Sequence, residues 1–476
     1  MNNPRSLFRR PPFSRPLAAC LTLLLLSGCM IGPDFKAPEP QMPAHWQGAA
    51  GENSPAADAL STWWTLFADP QLTSLVERGI AANLDLKQAE ARVRQARATR
   101  TIAASGLAPT VDAGASYRRS RSPETERSAS VTGSLYEAGF DASWEIDLFG
   151  GVRRSIEAAD ADLAVSSEAR RGVLVSLSAE LATNYLSLRS LQEQLAIAQK
   201  NLLAQERSAE LTRKRQVAGF VSKLDVNRAD ALAAATAAQI PLLESSARQT
   251  IHTLSILLGA EPGALLSELG PAAALPFAPP QIPAGIPSEL LRRRPDIRRA
   301  EARLHAATAR IGVAEADLFP RFTISGTVGL QNSDFSSTFN RASRIWSFGP
   351  AVNWRLFDLD STRANIELKK AIREEDLLAY QQSVLTALME VENALIALAK
   401  ERERQAALVV SAEASRQSVD LAEKLYAAGE SDFLAVLDAQ RSLYAAEDNL
   451  SLSRRNLASQ TVALFKALGG GWTPTD

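Results

Sequence analysis

The chain has 476 residues, 46% of them hydrophobic and 22% charged, with 52 basic side chains against 53 acidic ones. A balance so close to neutral gives no electrostatic footprint for nucleic acid as a partner. The two cysteines, Cys20 and Cys29, both fall near the start, so the body of the chain has no thiol for a disulfide, a metal or nucleophilic attack.

The first element is a targeting segment. Arg5, Arg9, Arg10 and Arg15 form a positive region, and Leu17 to Leu26 form an apolar run shorter than the ~20 residues a membrane helix needs. The run closes on Leu26-Ser27-Gly28-Cys29, which resembles the lipobox of bacterial lipoprotein signal peptides. That resemblance implies cleavage of residues 1–28 and a covalent lipid on Cys29, N-acyl and S-diacylglycerol, with no other cofactor. Met30, where an aspartate would resemble the inner-membrane retention signal, favours the outer membrane. Beyond Cys29 no uninterrupted apolar stretch is long enough for a membrane helix. A chain that reaches a membrane without one is anchored by lipid, crosses as β-strands, or does both.

After a lead-in over 29–70, the sequence says nearly the same thing twice at an offset of about 210 residues. NLDLKQAEARVRQARA from Asn83 is echoed by RPDIRRAEARLHAATA from Arg294. Pro109 answers Pro320, Trp144 answers Trp354, Gly219 answers Gly429, Leu224 answers Leu434, and Leu258-Gly259 answers Leu468-Gly469. One offset kept over that distance marks a duplicated half, 71–260 and 288–470. A Pro/Gly/Ala-rich segment over 261–287 joins the halves, and a tail over 471–476 follows. Each half has a helix, two alternating strands and two long helical runs.

In the first half Val111, Ala113, Ala115 and Tyr117 alternate with small or polar residues. A polar loop is expected from Arg118 to Ser134, and Tyr136, Phe140, Trp144 and Leu148 resume the alternation. In the second half the strands are Phe322 to Leu330 and Trp346 to Leu356. Each is close to the ~9–11 residues of a tilted membrane-crossing strand. Trp144, Phe149, Phe319, Phe322, Trp354 and Phe357 gather at the helix-proximal ends, as an interfacial girdle does. Pro350 fits a closed sheet badly. Four strands cannot close a barrel, and an open edge in lipid leaves unpaired backbone groups. Copies of the same chain must therefore complete the sheet, or the strands do not cross.

From Gly151 to about Ala218 leucines recur at Leu174, Leu181, Leu188, Leu195 and Leu202. Val384, Val391 and Leu398 keep the same interval in the second half, as do Val436, Leu443, Leu450, Leu457 and Leu464. Sustained heptads predict coiled coils, and a run of this length extends roughly 100 Å.

Read together, GPDFKAP from Gly32, WWTLFADPQL from Trp63, SWEIDLFGGVRR from Ser143, RQVAGFVSKLDVNRA from Arg215, LRRRPDIRRAEARL from Leu291 and FGPAVNWRLFD from Phe348 resemble the outer-membrane efflux family typified by TolC. The closer resemblance is to its lipoprotein branch, which serves resistance-nodulation-division pumps. It implies a mainly α fold with β: a homotrimer whose twelve-stranded transmembrane barrel, four strands per chain, continues into a twelve-helix periplasmic tunnel. The implied function is an exit duct for small molecules in a tripartite pump, embedded in outer-membrane lipid. Its implied partners are a periplasmic adaptor and an inner-membrane transporter. A type I protein-secretion channel and a lipid-anchored coiled coil without a pore are the competing readings.

The helix–helix turns carry the candidate site. Gly219 and Gly429 suit a left-handed helix end, and Ser222 and either Ser431 or Asp432 can cap the helix that follows. The resemblance makes these turns the adaptor-binding tip (Gly219, Ser222, Leu224, Gly429, Ser431). It also places a gate aspartate at Asp438, a constriction at Leu434, and a tie from Tyr426 to Asp225. One aspartate per chain becomes a ring of like charges on a symmetry axis. Leu425, Ser431 and Ala435 stand where relatives carry basic or acidic residues, so fewer polar links are expected to hold the tip shut. His45, His252 and His305 are scattered, and no phosphate loop, zinc spacing or nucleophile elbow appears, which points away from an enzyme.

Overall fold

The computed structural model describes residues 30–47, 60–121, 123, 130–276 and 287–473. The targeting segment, Cys29 and part of 261–287 lie outside the described residues. The first half comprises α1 (Pro70–Ala82), α2 (Leu84–Ser105), β1 (Thr110–Arg121), β2 (Thr132–Ile146), α3 (Gly151–Val217) and α4 (Lys223–Leu257). The second comprises α5 (Pro295–Ala316), β3 (Arg321–Asn332), β4 (Arg344–Asn353), α6 (Leu359–Ala428) and α7 (Phe433–Ala467). The duplication is visible in the element lengths. Helices α2 and α5 have 22 residues each, β1 and β3 have 12 each, and α4 and α7 have 35 each.

Two compact units cut across these halves, each taking matching pieces from both. Among the described residues, one gathers those up to Glu39, those of Val93–Ser166 and Ala300–Tyr380; the other gathers those of Pro40–Arg92, Ser167–Arg299 and those from Gln381 onward.

The first unit holds an antiparallel sheet in the order β1-β2-β3-β4. Strands β1 and β2 run further than the alternation implied: Arg118, Arg119, Ser120 and Arg121 pair with Leu135, Ser134, Gly133 and Thr132. A strand in water needs no apolar alternation, so hydrophobic periodicity ends before the ladder does. Pro350 stands in β4, paired with Ile324 of β3, and β4 is an edge strand of the single chain. The repeat governs side chains as well. The indole of Trp144 donates to the Leu107 carbonyl at 3.0 Å, and that of Trp354 donates to the Leu318 carbonyl at 3.1 Å.

In the second unit Asp69 caps α1, accepting from the amides of Gln71 and Leu72, with Pro70 at the first helical position. Trp63 is fully buried, stacked on Phe465 at 5.3 Å with Trp64 and Phe67 edge-on. The Tyr185 hydroxyl donates to Asp69 at 2.7 Å, and burial pushes this phenol up to about 12. The joint between α4 and α2 recurs between α7 and α5. Asn83 Nδ2 donates to the Leu257 carbonyl at 2.9 Å, and Arg294 Nη1 donates to the Ala467 carbonyl at 2.8 Å. A side chain on Gly259 or Gly469 would strike the carbonyl of Ala82 or Arg293, which explains both glycines, each at positive φ.

Within α6 an 18-residue window reaches a mean hydropathy of 1.2, so among the described residues one helix, unlike the sequence expectation, passes for a membrane span by length and composition. It lies inside a 70-residue helix, and its neighbourhood exposes Leu378 and Leu385, and Met389 and Ile396, each pair at heptad spacing. That pattern belongs to a packing seam rather than to an all-round apolar span.

Candidate functional site

Two surfaces stand out, the face of the sheet and the helix turns. The registers align one apolar face across all four strands: Ala113 beside Phe140, Phe140 beside Val328, Val328 beside Trp346. Among the described residues nothing covers these side chains, with Phe140 56%, Val328 58%, Trp346 80% and Phe348 74% exposed. The opposite face is polar and bonded to itself. Thr327 Oγ1 donates to Asp141 Oδ1 at 2.7 Å, and Ser116 Oγ donates to Glu137 Oε2 at 3.2 Å. A sheet apolar outside and polar inside suits lipid on one side and water on the other.

At the turns the backbone repeats closely. Phe220 N–H bonds the Arg215 carbonyl and Gly219 N–H that of Gln216; Glu430 and Gly429 do the same with Leu425 and Tyr426. These are paired Schellman ends, with Gly219 at φ 82° and Gly429 at φ 81°. Ser222 and Asp225 form a complete capping box on α4, and Asp432, rather than Ser431, caps α7 through the Ala435 amide. Ala209, Ala229, Leu232, Tyr426, Phe433, Val436 and Leu437 form a small core that joins the two hairpins.

Away from the turns the seam between α3, α6 and α7 turns polar. Gln440 Nε2 donates to Ser208 at 2.8 Å and to Glu423 at 2.9 Å. Glu447 takes Asn201 and Arg416, each at 3.1 Å. Both side-chain amide atoms of buried Gln205 lack a partner among the described residues. Leu195 and Leu202 are only half-buried, while Gln192, Asn201 and Gln205 are buried. A straight helix drifts about 20° per heptad, which carries the leucine row out of the buried stripe.

Residues 75–260 and 286–470 match the family model described as outer membrane efflux protein. The chain belongs to the outer membrane efflux protein family. It overlays a solved structure of the outer-membrane channel OprN with a TM-score of 0.89 at 40% identity, covering 94% of this chain and 100% of that one. The pyoverdine export outer membrane protein OpmQ of Pseudomonas putida is 38% identical over 440 residues, covering 90% of this chain and 92% of that protein. The toluene efflux pump outer membrane protein TtgF of Pseudomonas putida is 34% identical over 458 residues, covering 94% and 95%.

Within this family member, Leu434 and Asp438 are exposed one turn apart on α7, on a face the single chain leaves uncovered. The tie from Tyr426 to Asp225 is not formed. Tyr426 is 2% exposed and bonds Thr212 Oγ1 at 3.3 Å. The Asp225 carboxylate is taken up by Ser222, at 2.7 Å from its hydroxyl and 3.1 Å from its amide. An acidic residue at N3 of a capped helix closes back on its own turn, which removes it from a partner across the hairpins. Leu224 is 55% exposed, as are its neighbours Val217 at 85% and Phe220 at 79%. Sequence reasoning gave no role to Arg215, whose guanidinium lies against Tyr426. The available signal was its position opposite Leu425 in the repeat.

Proposed function

We infer that this chain is the outer-membrane exit duct of a tripartite efflux pump, a passive channel for small molecules. The observation that carries the reading is the exposed apolar face of a sheet whose two edges, β1 and β4, find no partner among the described residues. In lipid both edges must be paired, and further copies of the chain can pair them head to tail. A homotrimer with twelve strands satisfies this, as the family resemblance implies. An adaptor with helical hairpins finds an apolar landing site in Val217, Phe220 and Leu224, and opening would be driven from there by an inner-membrane transporter. Leu434 and Asp438 are positioned to form the constriction and the charged ring.

Lipid on Cys29 fits the segment that follows it. The Ile31 amide donates to the Phe149 carbonyl at 3.1 Å, and Phe149 stacks on Phe319 at 4.7 Å. Acyl chains starting one residue before Met30 would meet the membrane near the aromatic ends of the strands. The cargo differs between OpmQ and TtgF by their names, although both resemble this chain to a similar degree, so cargo choice is assigned to the pump.

The two faces of the sheet give the test. Phe348→Lys places a charge on the apolar face, at a cost of about 2–4 kcal/mol near the membrane midplane, whereas Ser347→Lys places it on the polar face. The first is expected to lose trimers from the outer-membrane fraction and the second to keep them. Equal recovery of both would mean that the sheet does not face lipid.

A further inference from the structure

Beside the apolar core that joins them, the two hairpins of the tip are bridged by an arginine. Arg215 lies half-buried in the last turn of α3. Its guanidinium carbon stands 4.5 Å from the centroid of the Tyr426 ring, and its Nη2 donates to the Ala427 carbonyl at 3.1 Å. Ala427 lies next to the end of α6, where the last carbonyls have no partner inside the helix. The Tyr426 and Leu425 carbonyls are taken by the amides of Gly429 and Glu430, and the Ala427 carbonyl receives Arg215 from the other hairpin. A cation at this point also meets the negative end of the helix dipole.

The ring beneath it is fixed from two sides. Phe433 packs 5.5 Å from Tyr426, and the Tyr426 hydroxyl donates to Thr212. Arg215 also closes its own turn, because its carbonyl accepts the Phe220 amide. One residue therefore completes both helix ends. Its counterpart in the duplicated half is Leu425, which has no donor to offer in return, so the link runs one way only. The neighbouring basic residues are engaged along their own hairpin, Arg213 with Asp230 and Lys214 with Glu210.

We propose that Arg215 is the clasp that holds the two hairpins of each chain together at the tip, and that its release accompanies opening of the duct. This rests on the exit-duct reading above. Arg215 is a positioning residue: it acts through Tyr426 and the end of α6. A half-exposed cation–π contact together with a charge-assisted hydrogen bond biases a two-state equilibrium roughly five- to tenfold.

The test compares full-length purified trimers in planar bilayers. Arg215→Ala is expected to raise open probability roughly five- to tenfold, with Arg215→Lys in between, because lysine keeps the charge but loses the planar stack. Leu425→Arg, which supplies the missing reciprocal donor, is expected to lower it. A purely structural role would change the trimer's melting temperature and leave open probability alone. Arg215→Ala trimers that conduct as the unaltered protein does overturn the clasp and leave the duct standing. If Arg215→Ala fails to assemble, a Leu425→Arg channel no quieter than the unaltered one overturns the clasp alone. Assembled trimers that conduct in no form overturn the duct, and the clasp with it.

Discussion

Replacing Arg154 with methionine is expected to free the segment that follows the targeting region and to cost about 3 kcal/mol. The Arg154 side chain is 1% exposed, and it gathers four partners. Nε donates to the Ile31 carbonyl at 3.0 Å, Nη2 to the Gly32 carbonyl at 3.1 Å and to Asp34 at 2.8 Å, and Nη1 to Glu157 at 2.7 Å. Glu157 in turn holds His305 at 3.0 Å, and Phe35 stacks on that ring at 4.3 Å. Gly32, at φ 97°, crosses so close to Gly312 that a side chain on either would collide with backbone. Methionine fills the aliphatic part of the slot but takes the arginine donor away from two carbonyls and from Oε2 of Glu157. The contact to Asp34, which is 81% exposed, adds little of the cost. Limited trypsin digestion at exposed Lys36 reads this directly. Faster cleavage and a lower melting temperature are expected, with Asp34→Asn close to unaltered. Cleavage at the original rate would show that the segment is held by something else.

Arg294→Met should be about as costly, roughly 3 kcal/mol at neutral pH, and its effect should depend on pH. Arg294 is 7% exposed and bridges Asp296 at 2.6 Å, Glu390 at 2.7 Å and the end of α7 at the Ala467 carbonyl. Burial works to raise the Asp296 carboxyl, but the Arg294 guanidinium outweighs it and holds the group below its ordinary value of 3.8. A carboxyl depressed by folding contributes stability that is complete above the unfolded value and is lost as pH falls through the folded one. In the variant the same carboxylate sits half-buried without its cation, so acid relieves it. The gap in melting temperature between the two proteins should be wide at pH 7 and narrow as pH falls below 3.8. A gap that stays constant down to pH 3 would remove Arg294 as the partner that matters.

How far the chain could be read in advance follows from where its physics is periodic. The duplication, the alternation in the strands and the heptads are periodic signals, and each has its element in the structure. The glycines of the turns were legible for the same reason, since a helix that must end and reverse needs a left-handed residue at Gly219 and Gly429. What could not be read was pairing across the duplicated halves. Arg215 lies 212 residues from Ala427, and no local pattern says which carbonyl a guanidinium will find. Arg154 and Arg294 were unread for the same reason. The tie of Tyr426 to Asp225 came from resemblance alone, and the capping box at Ser222 overrode it. The ends of β1 and β2 were misjudged because Arg118 to Arg121 continue the ladder with side chains that any aqueous loop could carry.

Whether copies of this chain enclose a pore through the outer membrane is read by single-channel recording of the purified protein in planar bilayers, beside Asp438→Ala. Trimers are expected to give a small cation-selective conductance, altered when the ring of aspartates at Asp438 is removed. Protein that forms neither trimers nor a conductance would contradict it, and would leave an anchored coiled coil with no pore as the better description of the chain.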